Sequence, residues 1–348
     1  MNPDLRGGRR CERALWRKAV SGHRDAESVV RRHMGSVTAL AVACVSLPCW
    51  PQTYPVKTIR LICPTPPGGG ADAAARITAQ ALSDQLGQQV VVDNRGGASG
   101  RIGTELVARA TPDGYTLLLG VNVSITILPA AISRLPYDVQ KDFAAISRVA
   151  TSDYVLTVHP SLPAKSLTDL IALARNRPGE LTYGSSGHLS GPHPSGALLD
   201  VLAKVKMMHV AYKGNGPAAI GVMSGETTML FGSSAAVVPH VQSGKLVALA
   251  TTGSKRTMPK LPAIAELLPG YEVSQWYGIL APSALPRDIL DRLHAATVRA
   301  IATPQVTHLF TNLGTLPGTD SPDEFREFMR AETAKWARVF RSAGIKTE

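Results

Sequence analysis

Three short polar stretches hold the residues whose types and spacing could do chemistry. The first is Pro64-Thr65-Pro66-Pro67-Gly68-Gly69-Gly70-Ala71-Asp72, which follows the apolar run Thr58–Cys63 and precedes an Ala-rich segment with Ile77, Ala81 and Leu82 at helical spacing. A loop from strand to helix ends at a helix N-terminus, where unpaired N–H groups and the positive end of the helix dipole favour an anion. Three consecutive glycines let the backbone approach that anion without Cβ hindrance. The second stretch, Arg95-Gly96-Gly97-Ala98-Ser99-Gly100-Arg101-Ile102-Gly103, again stands between a strand (Val90–Asn94) and a helix. Its spacing is G-x-x-G-x-x-G and not the dinucleotide fingerprint, so no nucleotide cofactor is implied. The third, Gly184-Ser185-Ser186-Gly187-His188-Leu189-Ser190-Gly191-Pro192-His193, precedes a helix from Pro194 to Lys204.

Each stretch has competing readings. Asp72 can favour its helix N-terminus or face a ligand. His188 and His193 could hold a metal or act as a base, but their loop offers no third ligand at useful spacing, so solvated or hydrogen-bonded histidines are expected and no metal or cofactor is assigned. Ser185, Ser186 and His193 could serve an exported hydrolase, although Gly184-Ser185-Ser186-Gly187 is not the nucleophile elbow G-x-S-x-G. Tyr212 and Trp276 fit either a cleft wall or a core.

The elements that position these loops alternate strand and helix over short connections. That order predicts an α/β fold with a mostly parallel sheet, whose ligands sit beyond the carboxyl ends of the strands. The pattern repeats after a strand at Tyr154–His159, with a helix opened by Ser166-Leu167-Thr168-Asp169 in the manner of a capping box. Late helices open at Pro286 and at Ser321-Pro322-Asp323-Glu324, and are expected to return to the first domain.

The charge of +11 is concentrated early: residues 1–50 hold nine Lys/Arg against four Asp/Glu, leaving 28 against 22 elsewhere without a basic run. Nucleic acid is not an expected partner. Arg31 and Arg32 precede the apolar run Val37–Leu47, too short for a ~20-residue membrane span and suited to a signal-peptide core. Residues 1–50 therefore read as a leader, cleaved between Cys49 and Tyr54, with Met34 an alternative start. Cys63 alone of four cysteines would then remain, which leaves no disulfide framework.

Taken in order, Pro66-Pro67-Gly68-Gly69-x-x-Asp72-x-x-x-Arg76, Asp93-Asn94-Arg95-Gly96-Gly97-Ala98-Ser99-Gly100-x-x-Gly103, Pro112-Asp113-Gly114-Tyr115-Thr116-Leu117, Tyr212-Lys213-Gly214 and Glu332-x-x-x-Trp336 resemble the extracytoplasmic solute-binding receptors of tripartite tricarboxylate transporters. The resemblance runs from about Tyr54 to Gly344. It implies a two-domain periplasmic-binding-protein fold (Venus flytrap, type II-like) with an interdomain ligand cleft, built from 51–150 plus 275–348 and from 151–274. With the leader read above, the chain is expected to be periplasmic, monomeric and non-enzymatic, closing about a hinge near 120–155 and 250–280. Such a receptor hands a small organic acid or amino acid to membrane permease subunits. The ligand-binding positions it implies are Gly69, Gly70, Ala71 and Asp72, then Ala98, Ser99 and Gly100, then Ser185, Ser186 and His193. The third loop departs from the family pattern, since His193-Pro194-Ser195-Gly196-Ala197 lacks the usual Leu and Glu, and Gly221 and Gly232 stand near two positions often acidic.

Overall fold

The computed structural model describes residues 54–345; the leader expected over 1–50 lies outside them. The chain begins with β1 (Ile59–Cys63), α1 (Gly70–Leu86), β2 (Val90–Asn94), α2 (Arg101–Ala108), β3 (Thr116–Val121), the short α3 (Leu128–Ala131) and α4 (Val139–Asp142), and the long β4 (Phe143–Val158). Next come α5 (Leu167–Asn176), β5 (Thr182–Ser185), α6 (Pro192–Ala203), β6 (Met208–Ala211), α7 (Asn215–Met223), β7 (Met229–Ser233), α8 (Ser234–Gln242), β8 (Val247–Thr251) and α9 (Ile264–Leu267). The chain closes with β9 (Ser274–Pro282), α10 (Arg287–Ile301), α11 (Pro304–Asn312), β10 (Leu316–Pro317) and α12 (Pro322–Ser342).

The main sheet path is β2-β1-β3-β9-β4-β7-β5-β6. Each flank is parallel as the strand–helix alternation predicts: β1 pairs with β2 and β3, and β5 pairs with β6 and β7. The middle is not. There β9 runs antiparallel to both β3 and β4, and β4 antiparallel to β7. The 16-residue β4 also exceeds the strand expected at 154–159: residues 143–153 pair with β9, and 154–158 pair with β7 and β8. One strand thus serves two half-sheets and changes partners at Asp153/Tyr154.

Both faces of each half are covered, so alternate residues of one strand feed separate cores. In β1, Ile59, Leu61 and Cys63 face the core under α1, α10 and α11, whereas Ile62 faces the core of α2 and Phe325. In β7, Met229 and Phe231 join the core of α5 and α6, and Leu230 joins that of α7 and α8. The late helices divide. α10 and α11 pack on the first half, but α12 buries Phe325 and Met329 there and Trp336, Val339 and Phe340 in the core of the second. Each such aromatic contributes about 1.5–3 kcal/mol on burial, so neither attachment is marginal.

Local rules account for the helix ends. Gly87 takes the left-handed C-cap after α1 (φ 67), and Ser321 with Glu324 forms the reciprocal capping box of α12. At α5 the box is incomplete: Ser166 accepts from Asp169 N–H, but the shorter Asp169 carboxylate reaches Lys165 N–H at 3.1 Å. Among the described residues no helix is long and apolar enough to cross a membrane.

Candidate functional site

The first glycine loop leaves β1 and enters α1 through Gly69, which is extended at φ −91, ψ 174. The N–H groups of the first helical turn lack intrahelical acceptors and point out of the helix end. Asp72 does not share that direction. Its buried carboxylate accepts from Gly68 N–H at 3.0 Å, Arg76 Nε at 3.1 Å and Asn94 Nδ2 at 3.0 Å. These bonds, led by Gly68, hold it below the usual carboxylate range. Asp72 is therefore a brace that ties the first loop to the end of β2.

The second loop is strained. Ala98, Ser99 and Gly100 are successively left-handed, with φ of 48, 58 and 91, a region that costs a non-glycine residue about 1–2 kcal/mol. The turn delivers the chain into α2 at Arg101. The spacing of its glycines follows from contact: a Cβ on Gly103 would sit 2.7 Å from Arg95 O and 3.0 Å from Pro64 Cα, so only glycine lets α2 abut the first loop.

The third loop turns inward on itself. Ser185 is fully buried, and its Oγ meets Gly187 N–H at 3.1 Å and His209 Nε2 at 2.6 Å. His193 is 4% exposed, accepts Leu189 N–H on Nδ1 at 3.1 Å, and stacks on His209 with ring centres 3.8 Å apart and 7° between planes. Burial, reinforced by the two neighbouring rings, pushes His193 down to about 3, and burial with His188 nearby pushes His209 down to about 4.

Between the loops lies a cleft of about 430 Å³. Pro64, Thr65, Pro66 and Ala71 line it from the first loop, Gly97, Ser99 and Gly100 from the second, and Ser186, Gly187, His188, Ser190, Gly191 and Pro192 from the third. Val121, Asn122, Val123, Tyr154 and Gln275 form its floor at the crossing strands, with Asn215 at the side. No Lys, Arg, Asp or Glu lines it. Instead the N-terminal ends of four helices meet there, through Ala71 of α1, Gly100 at α2, Gly191 and Pro192 at α6, and Asn215 of α7. A larger groove of about 570 Å³ lies between α12 and the segment 129–142, where none of the three loops reaches it.

Of the positions singled out in the sequence, Ala71, Ser99, Gly100 and Ser186 line the cleft. Gly69, Gly70 and Ala98 stand beside them in the same loops, and Asp72, Ser185 and His193 are turned into the protein. Tyr212 and Trp276 also face inward. Trp276 is fully buried edge-on against Phe325, and the Tyr212 ring fills the space a side chain at Gly221 would need. Sequence reasoning passed over Asn122, Tyr154, Asn215 and Gln275, and weighed His188 only as a metal ligand or base, not as part of the cleft wall. Asn122 was accessible to it, because it follows the carboxyl end of β3 directly.

The histidines make the one metal-like cluster among the described residues: His188, His193 and His209 each place a ring nitrogen within 4.8 Å of the others. The third ring that the loop lacks comes from β6. Metal bonds lie in the imidazole plane, however, so the parallel rings of His193 and His209 cannot converge on one ion as they stand. Hydrolysis fares no better. The partner of Ser185 is His209 and not His193, the hydroxyl has no exposure, and an imidazole held to about 4 is a weak base at neutral pH. Ser186 reaches the cleft, but no imidazole hydrogen-bonds to it.

Two α/β halves joined by crossing strands, with helix N-termini converging on the cleft between them, define a two-lobed periplasmic-binding-protein fold. The chain matches the tripartite tricarboxylate transporter family receptor profile over residues 74–345, and it belongs to that family. It is 35% identical to Protein BugT of Bordetella pertussis, over 88% of this chain and 95% of that one. Among solved structures it is similar to Rhodopseudomonas palustris Rpa4515 with adipate (33% identity, TM-score 0.74, covering 84% of this chain and 99% of that one). It is also similar to MatC of the same organism with bound malate (29% identity, TM-score 0.70, 82% and 99%).

Proposed function

We propose that this chain is a periplasmic receptor that binds a small organic acid in the cleft and delivers it, as a monomer and without chemical change, to the permease subunits of a tripartite tricarboxylate-type transporter. The observation that carries the reading is the meeting of four helix N-termini on a cleft that no charged Lys, Arg, Asp or Glu side chain lines. Such a site favours an anion through N–H groups and dipoles alone. Main-chain donors near Gly70, Ala71 and Ser99 would hold the first carboxylate, while Pro64, Pro66, Val121 and Tyr154 supply apolar walls for its body. Relatives with adipate and malate are consistent with this class of ligand.

Closure would bring 51–150 with 275–348 onto 151–274 about the crossing strands. Thr252 stands at that crossing: its buried hydroxyl accepts from Tyr154 N–H at 2.8 Å and donates to Val273 O at 2.6 Å. A thermal-shift screen of mono-, di- and tricarboxylates tests the function. At about a hundred times its Kd a true ligand stabilises the native state by roughly 2.7 kcal/mol; no response to any carboxylate overturns the reading.

A further inference from the structure

The third loop differs from the other two in how it uses its main chain. Gly187 N–H bonds to Ser185 Oγ, Leu189 N–H to His193 Nδ1, Ser190 N–H to Gly187 O and His193 N–H to Ser190 O. Pro192 and Pro194 carry no N–H at all, so the opening turn of α6 is stripped of the donors that a helix end normally presents. At the third loop and α6 the cleft retains the dipole but has little main chain to offer a ligand, and α7 reaches the lining only at Asn215.

A side chain stands where those donors would be. His188 lines the cleft and is exposed. It is flanked by Gly187 at φ 140 and Leu189 at φ 57, an unusual conformation for a bulky residue. The two turns bury Leu189, 8% exposed, in the core of the second half and leave the neighbouring imidazole outward. His188 touches its fellow histidines only ring to ring, at 5.0 Å from His193 and 6.3 Å from His209, and makes no hydrogen bond to a described residue. It is the only basic side chain in the lining.

We propose that His188 is the specificity-determining residue of the second half: its imidazole N–H takes the distal carboxylate of an α,ω-dicarboxylate whose first carboxylate sits at the N-termini of α1 and α2. The inference rests on the receptor reading above and narrows its ligand class to acids with two ends. A hydrogen bond to a charged group contributes about 1.5–3 kcal/mol, which is tenfold or more in affinity.

Isothermal titration at one fixed pH with succinate through suberate, and with the monocarboxylates of matching carbon number, tests it on the parent, His188→Ala and His188→Lys. The expected result is that the parent prefers at least one diacid over its monoacid by about tenfold or more. His188→Ala weakens diacids by more than monoacids and so removes that preference, and His188→Lys restores it. The proposal is overturned if the parent binds monoacids as tightly as diacids, if His188→Ala weakens both series equally, or if the preference survives the substitution. Those results leave the carboxylate receptor standing. Silence of the parent towards both series also overturns this proposal, whereas the receptor reading falls only if the wider carboxylate screen is silent as well.

Discussion

The imidazoles of His193 and His209 lie face to face, 3.8 Å apart and 7° from parallel, beneath the third loop. Both are held low, to about 3 and about 4, against about 6.5 for an unfolded histidine. The unfolded chain therefore takes up protons first on acidification. Stability that the neutral pair allows above pH ~6.5 is lost as pH falls through the folded values. Urea unfolding at pH 7, 5 and 4 should show that decline, and His209→Asn should flatten it over the same window. An unchanged slope would mean that the pair is not the titrating unit.

Asp200 carries the opposite sign. Burial pushes its carboxyl up to about 7 even though Met207 N–H bonds to Oδ2, and Oδ1 has no partner. A raised acid favours the folded state at low pH and loses that contribution as pH rises from about 4 through 7. Asp200→Asn keeps an acceptor for Met207 without the buried charge, so it should raise the melting temperature at pH 8 and change it little at pH 5.

The main-chain account of ligand binding is best tested at Gly70. Gly69 before it is extended, as a residue preceding proline must be, and Gly70 is the first helical residue, where proline is well tolerated. Gly70→Pro thus removes one N–H from the site; its Cβ would meet only Tyr277 Oη, at 3.1 Å. Affinity should fall by about tenfold or more with the fold intact. Proline at Ser99 is unsuitable, since φ there is 58. Arg95→Ala should leave affinity within about threefold, because Arg95 pairs with Asp93 at 2.9 Å and lies outside the lining. Loss of binding in Arg95→Ala with Gly70→Pro unaffected would replace this account by an arginine clamp.

Ala98 stores strain that glycine would release. With φ at 48, Ala98→Gly should raise stability by about 1 kcal/mol, read from denaturant midpoints at constant m. A destabilised variant would show that the left-handed turn is not a cost at this position.

How far the sequence spoke for the fold depends on the range of the interaction. Glycine loops, caps and the alternation of strand and helix are local, so the strands β1, β2 and β3 and the N-termini of α1 and α12 were legible. The antiparallel centre was not. Phe143–Asp153 carries apolar residues on both faces because both are covered, and nothing local says that Ala150 will meet Tyr277 from far along the chain. The site was read similarly. Loop residues were found by type, but which way each points depends on neighbours: His193 turns inward because Leu189 N–H and the His209 ring, brought by β6, hold it there. His188, two residues from Ser186, then becomes the one that reaches the ligand space.

The split attachment of α12 has a consequence for how the protein comes apart. Because one helix roots Phe325 in one core and Trp336 and Phe340 in the other, neither half keeps a complete interior once the helix leaves. Cutting the connecting strands would not yield two self-sufficient pieces, and heating should produce one cooperative transition in place of two steps. The closure proposed above would then be borne by bending within a shared framework, with α12 as a leash that sets how far the halves can part.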